Sequence, residues 1–552
     1  VSELGENVFG LDGEAGMTAT GRSETSSRSP GILKATFTVV ALTIVGRTLG
    51  LIKGPVLAWI FGADASFDAL VVALFVPTMF FSFVRIPLRA CFIPFFSEKL
   101  ENEGEESAWQ LANVFNSGMV LVFVAATALC IVFSPALAWI IAPRFGDVQH
   151  ALAARMTRIT SLSVLFLGLS VLATNIWHCY KRFAIPASVR MVNHVVVITA
   201  LVLLSGHAAP EQRMYWLAWA VVAGALARPV VQAGIILKKK RFVRFRIDFR
   251  DPVLSQMAVV AFPLIIGSAG AKLDSLVDKM FASTLFEGVI SVLFYAEAVA
   301  SVPREIFLFA IPVVLFPFFS SSAGRGDHEE IGKKLSTALR FTFFFMFPMA
   351  VGLFLLRVPL VTAMYQRGEF DAASTSLTAA VLPFYAIGIS FMAAGQLIPA
   401  VFYSMKNTRT PVAIGLFRVV LKIGLCLLLI GPMSYKGLVL ATSISHIVKL
   451  VLLVSFVPNI VWGDMRAPML KSAARSLLAS AIMAPAVYGT QLLIRPFCPA
   501  ATFSGAVAEF AVCVAIGAAA YFVIQTLFRS EEVTFLFRTA TRAVAGKVRR
   551  KS

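Results

Sequence analysis

Ser117-Gly-Met-Val-Leu-Val-Phe-Val-Ala-Ala-Thr-Ala-Leu-Cys-Ile-Val-Phe-Ser-Pro-Ala-Leu-Ala-Trp-Ile-Ile-Ala142 runs for 26 residues without one charged side chain. A helix needs about 20 apolar residues to cross a hydrocarbon layer of about 30 Å, so this stretch is long enough to span a bilayer by itself. Its backbone polar groups find no water there and must pair within the segment, which selects a helix over an open sheet. Similar runs recur on both sides. The first six lie near 34–60, 67–94, 117–142, 159–178, 184–205 and 215–237; then come 255–283, 288–319, 338–356, 375–403, 411–431, 437–457, 474–494 and 504–528. The chain of 552 residues is 58% hydrophobic and 14% charged, far from a water-soluble balance. The reading is an all-α polytopic membrane protein of about fourteen transmembrane helices.

Charge patterning supplies an independent test. The net charge is +19, yet the Lys and Arg residues gather in short connectors between apolar runs and do not form a nucleic-acid surface. With both termini cytoplasmic, about 29 of them fall on the inner side and about 8 on the outer, the bias expected of a multi-pass membrane protein. The strongest inner run is Lys238-Lys-Lys-Arg-Phe-Val-Arg-Phe-Arg246, followed by the tail ending Lys547-Val-Arg-Arg-Lys551. Both runs also suit anionic membrane lipids. The basic connector divides the chain into an N-lobe of six helices (34–237), the connector (238–254), a C-lobe of six helices (255–457), a final helix pair (458–528) and a basic cytoplasmic tail (529–552). Residues 1–33 are polar, lack the pattern of a signal peptide and read as a disordered cytoplasmic segment.

Catalytic motifs are missing: there is no His-Glu-x-x-His, Gly-x-x-x-x-Gly-Lys or Gly-x-Ser-x-Gly. The six cysteines, Cys91, Cys130, Cys179, Cys426, Cys498 and Cys513, have no metal-ligand spacing and read as packing residues. The chain therefore reads as a transporter, not an enzyme, with no cofactor. Without a nucleotide-binding loop, its work must come from an ion gradient, the membrane potential or the gradient of its own substrate.

Charges inside the spans carry the functional information, because each is costly in hydrocarbon unless it meets water, an opposite charge or a ligand. Arg47 and Lys53 point about 120° apart, on two flanks of one inward sector of the first span, beside Gly50 and Gly54. The second span holds Asp68 at its outer end and Arg85 with Arg89 towards its inner end; these arginines share a face at i, i+4 and repel. Pro87, between them, predicts a bend or unwinding. An anion such as a diphosphate would relieve the repulsion; snorkelling to headgroups is the competing reading. In the seventh span, Lys272, Asp274, Asp278 and Lys279 can pair among themselves, or Asp278 can serve a substrate or a coupling ion. Glu297, Arg304 and Glu305 in the eighth span and Arg190 and His194 in the fifth are ambiguous, and Arg228, Arg418, Lys422 and Lys449 receive no role.

Several segments resemble the MurJ (MviN) family of lipid II flippases, within the multidrug, oligosaccharidyl-lipid and polysaccharide exporter superfamily. They are Thr43-Ile-Val-Gly-Arg-Thr-Leu-Gly50, Ile60-Phe-Gly-Ala63, Phe67-Asp-Ala69, Lys181-Arg-Phe-Ala-Ile-Pro-Ala187 with Asn193, and Leu217-Ala-Trp-Ala-Val221. Later in the chain come Phe281-Ala-Ser283, Tyr295-Ala296 with Pro303, Tyr365-Gln-Arg-Gly-Glu-Phe370 and Phe402-Tyr-Ser-Met-Lys-Asn-Thr-Arg-Thr-Pro411. The resemblance covers roughly 34–528. It implies two six-helix lobes around a cationic cavity, a groove for a polyprenyl tail in the final pair, and lipid II carried to the outer leaflet for peptidoglycan synthesis. Arg47 then matches the family's first cavity arginine and Asp68 its acid at the second helix, while Lys53 stands where a second arginine is usual. The family's arginine after a Pro-Asn pair is displaced here, since Pro77-Thr78 precedes Phe80 and Phe81 and the arginines come at Arg85 and Arg89. Ala298 stands where the eighth helix usually carries a cavity arginine.

The leading expectation is alternating access, with Arg47, Lys53, Arg85 and Arg89 holding a lipid-linked diphosphate-sugar and Asp68, Asp278 and Glu297 as cavity or coupling-ion acids. Two rivals stand beside it. An ion-coupled exporter of small cationic compounds requires a dominant buried acid; a non-transporting scaffold for envelope synthesis requires none of these charges.

Overall fold

Where described, the apolar runs are helical, and most of the helices extend beyond the run itself. The computed structural model describes residues 30–205, 210–239, 242–248, 252–308, 319, 322, 324–497 and 502–537. The first bundle consists of α1 (Pro30–Phe61), α2 (Ala65–Asn102), α3 (Glu105–Val132), α4 (Ser134–Ile141), α5 (Asp147–Cys179), α6 (Ala184–Ser205) and α7 (Pro210–Lys238). It is followed by α8 (Pro252–Ala282), α9 (Val289–Leu308), α10 (His328–Leu355), α11 (Arg357–Tyr365), α12 (Ala372–Ala394), α13 (Pro399–Ser404), α14 (Arg409–Met433) and α15 (Tyr435–Phe456). The short α16 (Asn459–Trp462) leads into α17 (Arg466–Ile494) and α18 (Phe503–Leu527). Twelve helices among the described residues are long and apolar enough to cross a membrane. The charged α8 and α9, of 31 and 20 residues, accompany them.

Three details differ from the sequence reading. The run at 117–142 is two helices, because the chain breaks at Phe133 and restarts with Pro135 in the first turn of α4, where a missing N–H costs nothing. Helices α3, α5 and α17 begin 8–12 residues before their apolar runs, since polar first turns remain helical once they leave hydrocarbon. Pro87 does not unwind α2, which is helical through Pro77, Pro87 and Pro94. Residues 1–29 of the expected disordered segment, 309–318 of the eighth run, Cys498, and 538–552 of the basic tail lie outside the described residues. So do 240–241 and 249–251 of the connector. Its segment 242–248 is neither helix nor strand and is pinned to α3. Asn113 Nδ2 donates to the Phe242 carbonyl (2.7 Å), Arg244 N donates to Asn113 Oδ1 (3.0 Å), and Arg246 N donates to Ser117 Oγ (3.0 Å).

Within the first bundle, α5 packs against α2, α3 and α7, and α6 lies between α1 and α7. In the second, α12 packs on α9, α10 and α15, and α14 on α15; α17 and α18 pair with one another against α10. Lipid offers no hydrophobic drive for such pairings, so close backbone approach and van der Waals contact decide them. Gly168 illustrates this, as a Cβ there would sit 2.4 Å from the ring of Phe123. Helix α8 bridges the halves, lying along α2 and reaching α14.

Candidate functional site

The two halves meet most tightly at the end of the bundle opposite the basic connector. There the turn joining α1 to α2 places Gly62 at φ +63°, with space for no Cβ: one would lie 2.5 Å from the Glu369 carbonyl oxygen. Asp64 caps α2 by accepting from Phe67 N (2.8 Å). Glu369 N donates to the Trp59 carbonyl (3.1 Å), and Arg213 reaches the Glu369 carboxylate at 3.4 Å. Phe67 stacks on Tyr295 with ring centroids 5.4 Å apart, and Tyr295 in turn contacts Tyr365 (5.0 Å) and Phe370 (5.2 Å), all of them buried.

Asp68 lies at the centre of this seal and is 1% exposed. Its carboxylate accepts from Gly288 N (2.7 Å), Ser291 N (2.6 Å) and Ser291 Oγ (2.5 Å), so a residue of α2 caps the N-terminus of α9 across the interface. The segments Ile60–Ala63, Phe67–Ala69, Tyr295–Ala296 and Tyr365–Phe370, far apart in sequence, thus converge on one closed end.

Away from the seal, the first bundle gathers positive charge. Lys53 from α1, Arg85 and Arg89 from α2, Arg190 from α6 and Arg228 from α7 form a chain of mutually repelling cations: Lys53 against Arg228, Arg190 against both Arg228 and Arg85, and Arg85 against Arg89. None of the five has an ion-pair partner among the described residues. Lys53 and Arg228 are half-buried; Arg85, Arg89 and Arg190 are exposed. Arg85 and Arg228 approach the Phe81 ring at 5.9 and 5.7 Å, a contact that satisfies part of their charge without neutralising it. Gly50 is what admits α6: a Cβ there would stand 3.2 Å from Nε2 of His194, which belongs to the same cluster. By helical rise, Lys53 lies about 12 Å from the sealed end of α1 and Arg85 about 30 Å along α2, so the cations run from mid-bundle towards the connector end.

Arg47 is placed elsewhere. Its Nη1 donates to the Glu305 carbonyl (2.8 Å) and lies 3.5 Å from the Glu305 carboxylate, tying α1 to α9. Arg47 and Lys53 therefore occupy two flanks of α1, as their spacing predicts, but serve different neighbours.

The acids of α8 also find partners other than those within their own helix. Asp274 pairs with Arg418 (2.8 Å) and Lys422 (3.0 Å), and Asp278 with Lys422 (2.7 Å); Lys422 is wholly buried. His446 Nε2 lies 3.3 Å from Arg418 Nη1. Lys279 instead contacts Ser275 Oγ (3.4 Å) and the Phe75 ring (4.7 Å), with Glu297 as a nearby countercharge for it and for Lys272. Asp278, Lys279, Glu297 and Tyr385 line a cavity of about 40 Å³ between the halves. Sequence reasoning missed Arg190 and Arg228 as members of the cation cluster, and Arg418 and Lys422 as partners of α8. A signal existed for the second pair: Asp274/Asp278 and Arg418/Lys422 are complementary stripes, each at i, i+4.

A model of the family described as lipid II flippase MurJ matches residues 57–507. The probable lipid II flippase MurJ of Bdellovibrio bacteriovorus is 25% identical over 475 residues, covering 84% of this chain and 89% of that protein. The lipid II flippase MurJ of Burkholderia cenocepacia is 26% identical over 395 residues (70% and 76% covered), and the probable lipid II flippase MurJ of Rhizobium meliloti 26% over 535 (94% and 98%). Among solved structures, a lipid II flippase MurJ in an inward closed conformation superposes with a TM-score of 0.74 at 22% identity, over 91% of this chain and 100% of that one. An inward-facing multidrug resistance MATE family transporter of the MOP superfamily gives 0.65 at 12% identity, over 79% and 98%. At such identities the structural likeness concerns the fold.

Proposed function

The chain belongs to the MurJ family of lipid II flippases, and from that premise we propose that it carries lipid II across the bacterial inner membrane by alternating access. The observation that carries this reading is the row of unpaired cations Lys53, Arg85, Arg89, Arg190 and Arg228 in a bundle whose opposite end is sealed. Five positive charges without carboxylates are a poor structural device and a good binding surface for a diphosphate. Arg85 and Arg89 supply planar forks for phosphate oxygens; Lys53 supplies a point charge where a fork is absent.

The positive-inside bias sets the connector end, and with it both termini, in the cytoplasm. The headgroup then enters from the cytoplasmic leaflet, relieves the repulsion among the cations, and leaves outwards after the Asp68 seal opens. The polyprenyl tail stays in lipid beside α17, whose Leu477, Leu478, Ile482 and Leu493 are exposed. The Arg47–Glu305 tie spans the two halves in the connector half of the bundle and has to break for that side to open fully. Of the candidate coupling acids, Asp68 is committed to the seal and Asp278 to Lys422, which leaves Glu297, on the cavity between the halves, as the group for a coupling ion.

This assignment disfavours an exporter of cationic compounds, since Asp274 and Asp278 of α8 are already paired with Arg418 and Lys422. The test is complementation: the native flippase is depleted, Arg85→Ala, Arg89→Ala and Arg190→Ala/Arg228→Ala are expressed at matched levels, and lipid precursor exposed on the outer leaflet is measured. Charge-assisted contacts are worth about 1.5–3 kcal/mol each, so each variant is expected to lose about tenfold or more in precursor exposure. Full exposure in all three would remove the cationic-cavity mechanism and favour a scaffold.

A further inference from the structure

A cavity of about 440 Å³ is lined by none of the charged residues assigned above to transport. It lies at the sealed end of the first bundle, beside the break at Phe133, and is lined by Pro135 and Trp139 of α4 and by Asp147, His150, Arg155 and Arg158 of α5. Its place at that end follows from α5, where Gln149 donates to the Ala65 carbonyl (3.5 Å) in the turn region next to the seal.

Arg155 and Arg158 lie at i, i+3 on one face of α5 and have no ion pair among the described residues, although Asp147 lines the same cavity. Arg158 Nε donates to Ser134 Oγ (3.0 Å), which fixes its guanidinium and leaves the other nitrogens free to donate. Arg155, Arg158 and Asp147 give the lining a net charge of plus one. Trp139 of the lining is exposed, as are Val132, Phe133 and Ile140 next to it in the chain, an apolar surface with a tryptophan of the kind favoured where headgroups meet hydrocarbon. Only about 8 of the Lys and Arg residues fall on this side of the membrane, and positive charge there opposes the topology signal, so two converging arginines call for a reason other than orientation.

We propose that this cavity binds the phosphate headgroup of an anionic diacyl phospholipid of the outer leaflet, with Arg155 and Arg158 on the phosphate and the acyl chains along Val132, Phe133 and Ile140. The outer-leaflet placement rests on the orientation argued above; the binding chemistry does not. A phosphate bound there braces α4 against α5, next to the helices that form the seal.

The test uses the full-length protein in detergent, titrated with phosphatidylglycerol or with phosphatidylcholine of the same acyl chains and read by native mass spectrometry. Wild type is expected to hold one phosphatidylglycerol at least about tenfold more tightly than Arg155→Ala/Arg158→Ala, while both hold phosphatidylcholine equally weakly. Arg155→Lys/Arg158→Lys keeps the charge and is expected to recover most of the binding, which separates loss of the site from misfolding. Arg244→Ala/Arg246→Ala, on the connector, is expected to leave this tight lipid in place. Equal phosphatidylglycerol affinity in wild type and the double alanine variant would overturn the proposal, as would equally tight phosphatidylcholine. Displacement of the lipid by millimolar inorganic phosphate would overturn its lipid part and assign the cavity to free phosphate.

Discussion

Replacing Asp68 by alanine should loosen the whole sealed end, including contacts that Asp68 does not touch. The carboxylate is 1% exposed and accepts three hydrogen bonds at 2.5–2.7 Å, two of them from the first amides of α9. Hydrogen bonds to a charged group contribute about 1.5–3 kcal/mol each, and two buried N–H groups lose their acceptor. Water entering the space recovers part of this, so a net shift of about 3 kcal/mol towards the open state is the working value. That corresponds to about a hundredfold change in the open population. Hydrogen exchange in nanodiscs reads it at the Glu369 amide, which donates to Trp59 and has no contact with Asp68. Asp68→Ala should lower protection there by about two orders of magnitude. Asp68→Asn, which keeps one neutral acceptor, should lower it by about one. If protection at Glu369 is unchanged while only Gly288 and Ser291 exchange faster, Asp68 is a local helix cap and the reasoning about a cooperative seal fails.

Lys422→Met should cost about 1.5–3 kcal/mol, because it removes the cation paired with the half-buried Asp278 and one of the two cations paired with Asp274, leaving Arg418; adding Asp278→Asn should recover much of the loss, as thermal unfolding in detergent would register. Gly62→Ala should lower Tm clearly, since φ is +63° and the Cβ meets the Glu369 carbonyl, whereas Gly146→Ala, with open space and negative φ, should leave it unchanged. Glu532 offers a pH test: burial alone raises its pKa, but bonds from Ser530, Ser472 and Arg340 outweigh this and hold it below the usual glutamate value. A depressed carboxylate stabilises above its unfolded pKa of about 4.3 and loses that contribution as pH falls through the folded value. The Tm advantage of wild type over Glu532→Gln should therefore be full near neutrality and vanish in acid; an advantage that persists in acid would exclude the charge as its source.

Much of this protein was legible before any coordinate was considered. The stretch Ser117–Ala142 and its thirteen counterparts had to be helices, because a backbone in hydrocarbon can pair only with itself. Placing about 29 basic residues on one side and about 8 on the other gives an expected orientation, which is an argument from charge alone. Asp68, Arg85 and Arg89 stood out for a local reason, a charge inside an apolar run, and such a cost is visible in one dimension.

Which partner each charge takes was decided only by the tertiary structure. Arg47 and Lys53 are six residues apart on one helix, yet Arg47 meets Glu305 of α9 while Lys53 is repelled by Arg228 of α7, a difference set by which side chains the packed bundle brings to each flank of α1. Asp274 and Asp278 read as partners of their own helix's lysines until α14 brought Arg418 and Lys422 within 3.0 Å. The seal likewise joins Trp59, Asp68, Gly288 and Glu369 across up to 310 positions. Whether a helix forms depends on the solvent around its own residues, which composition reports. Whether a buried charge is paired depends on how close another helix can come, and that distance is a property of packing.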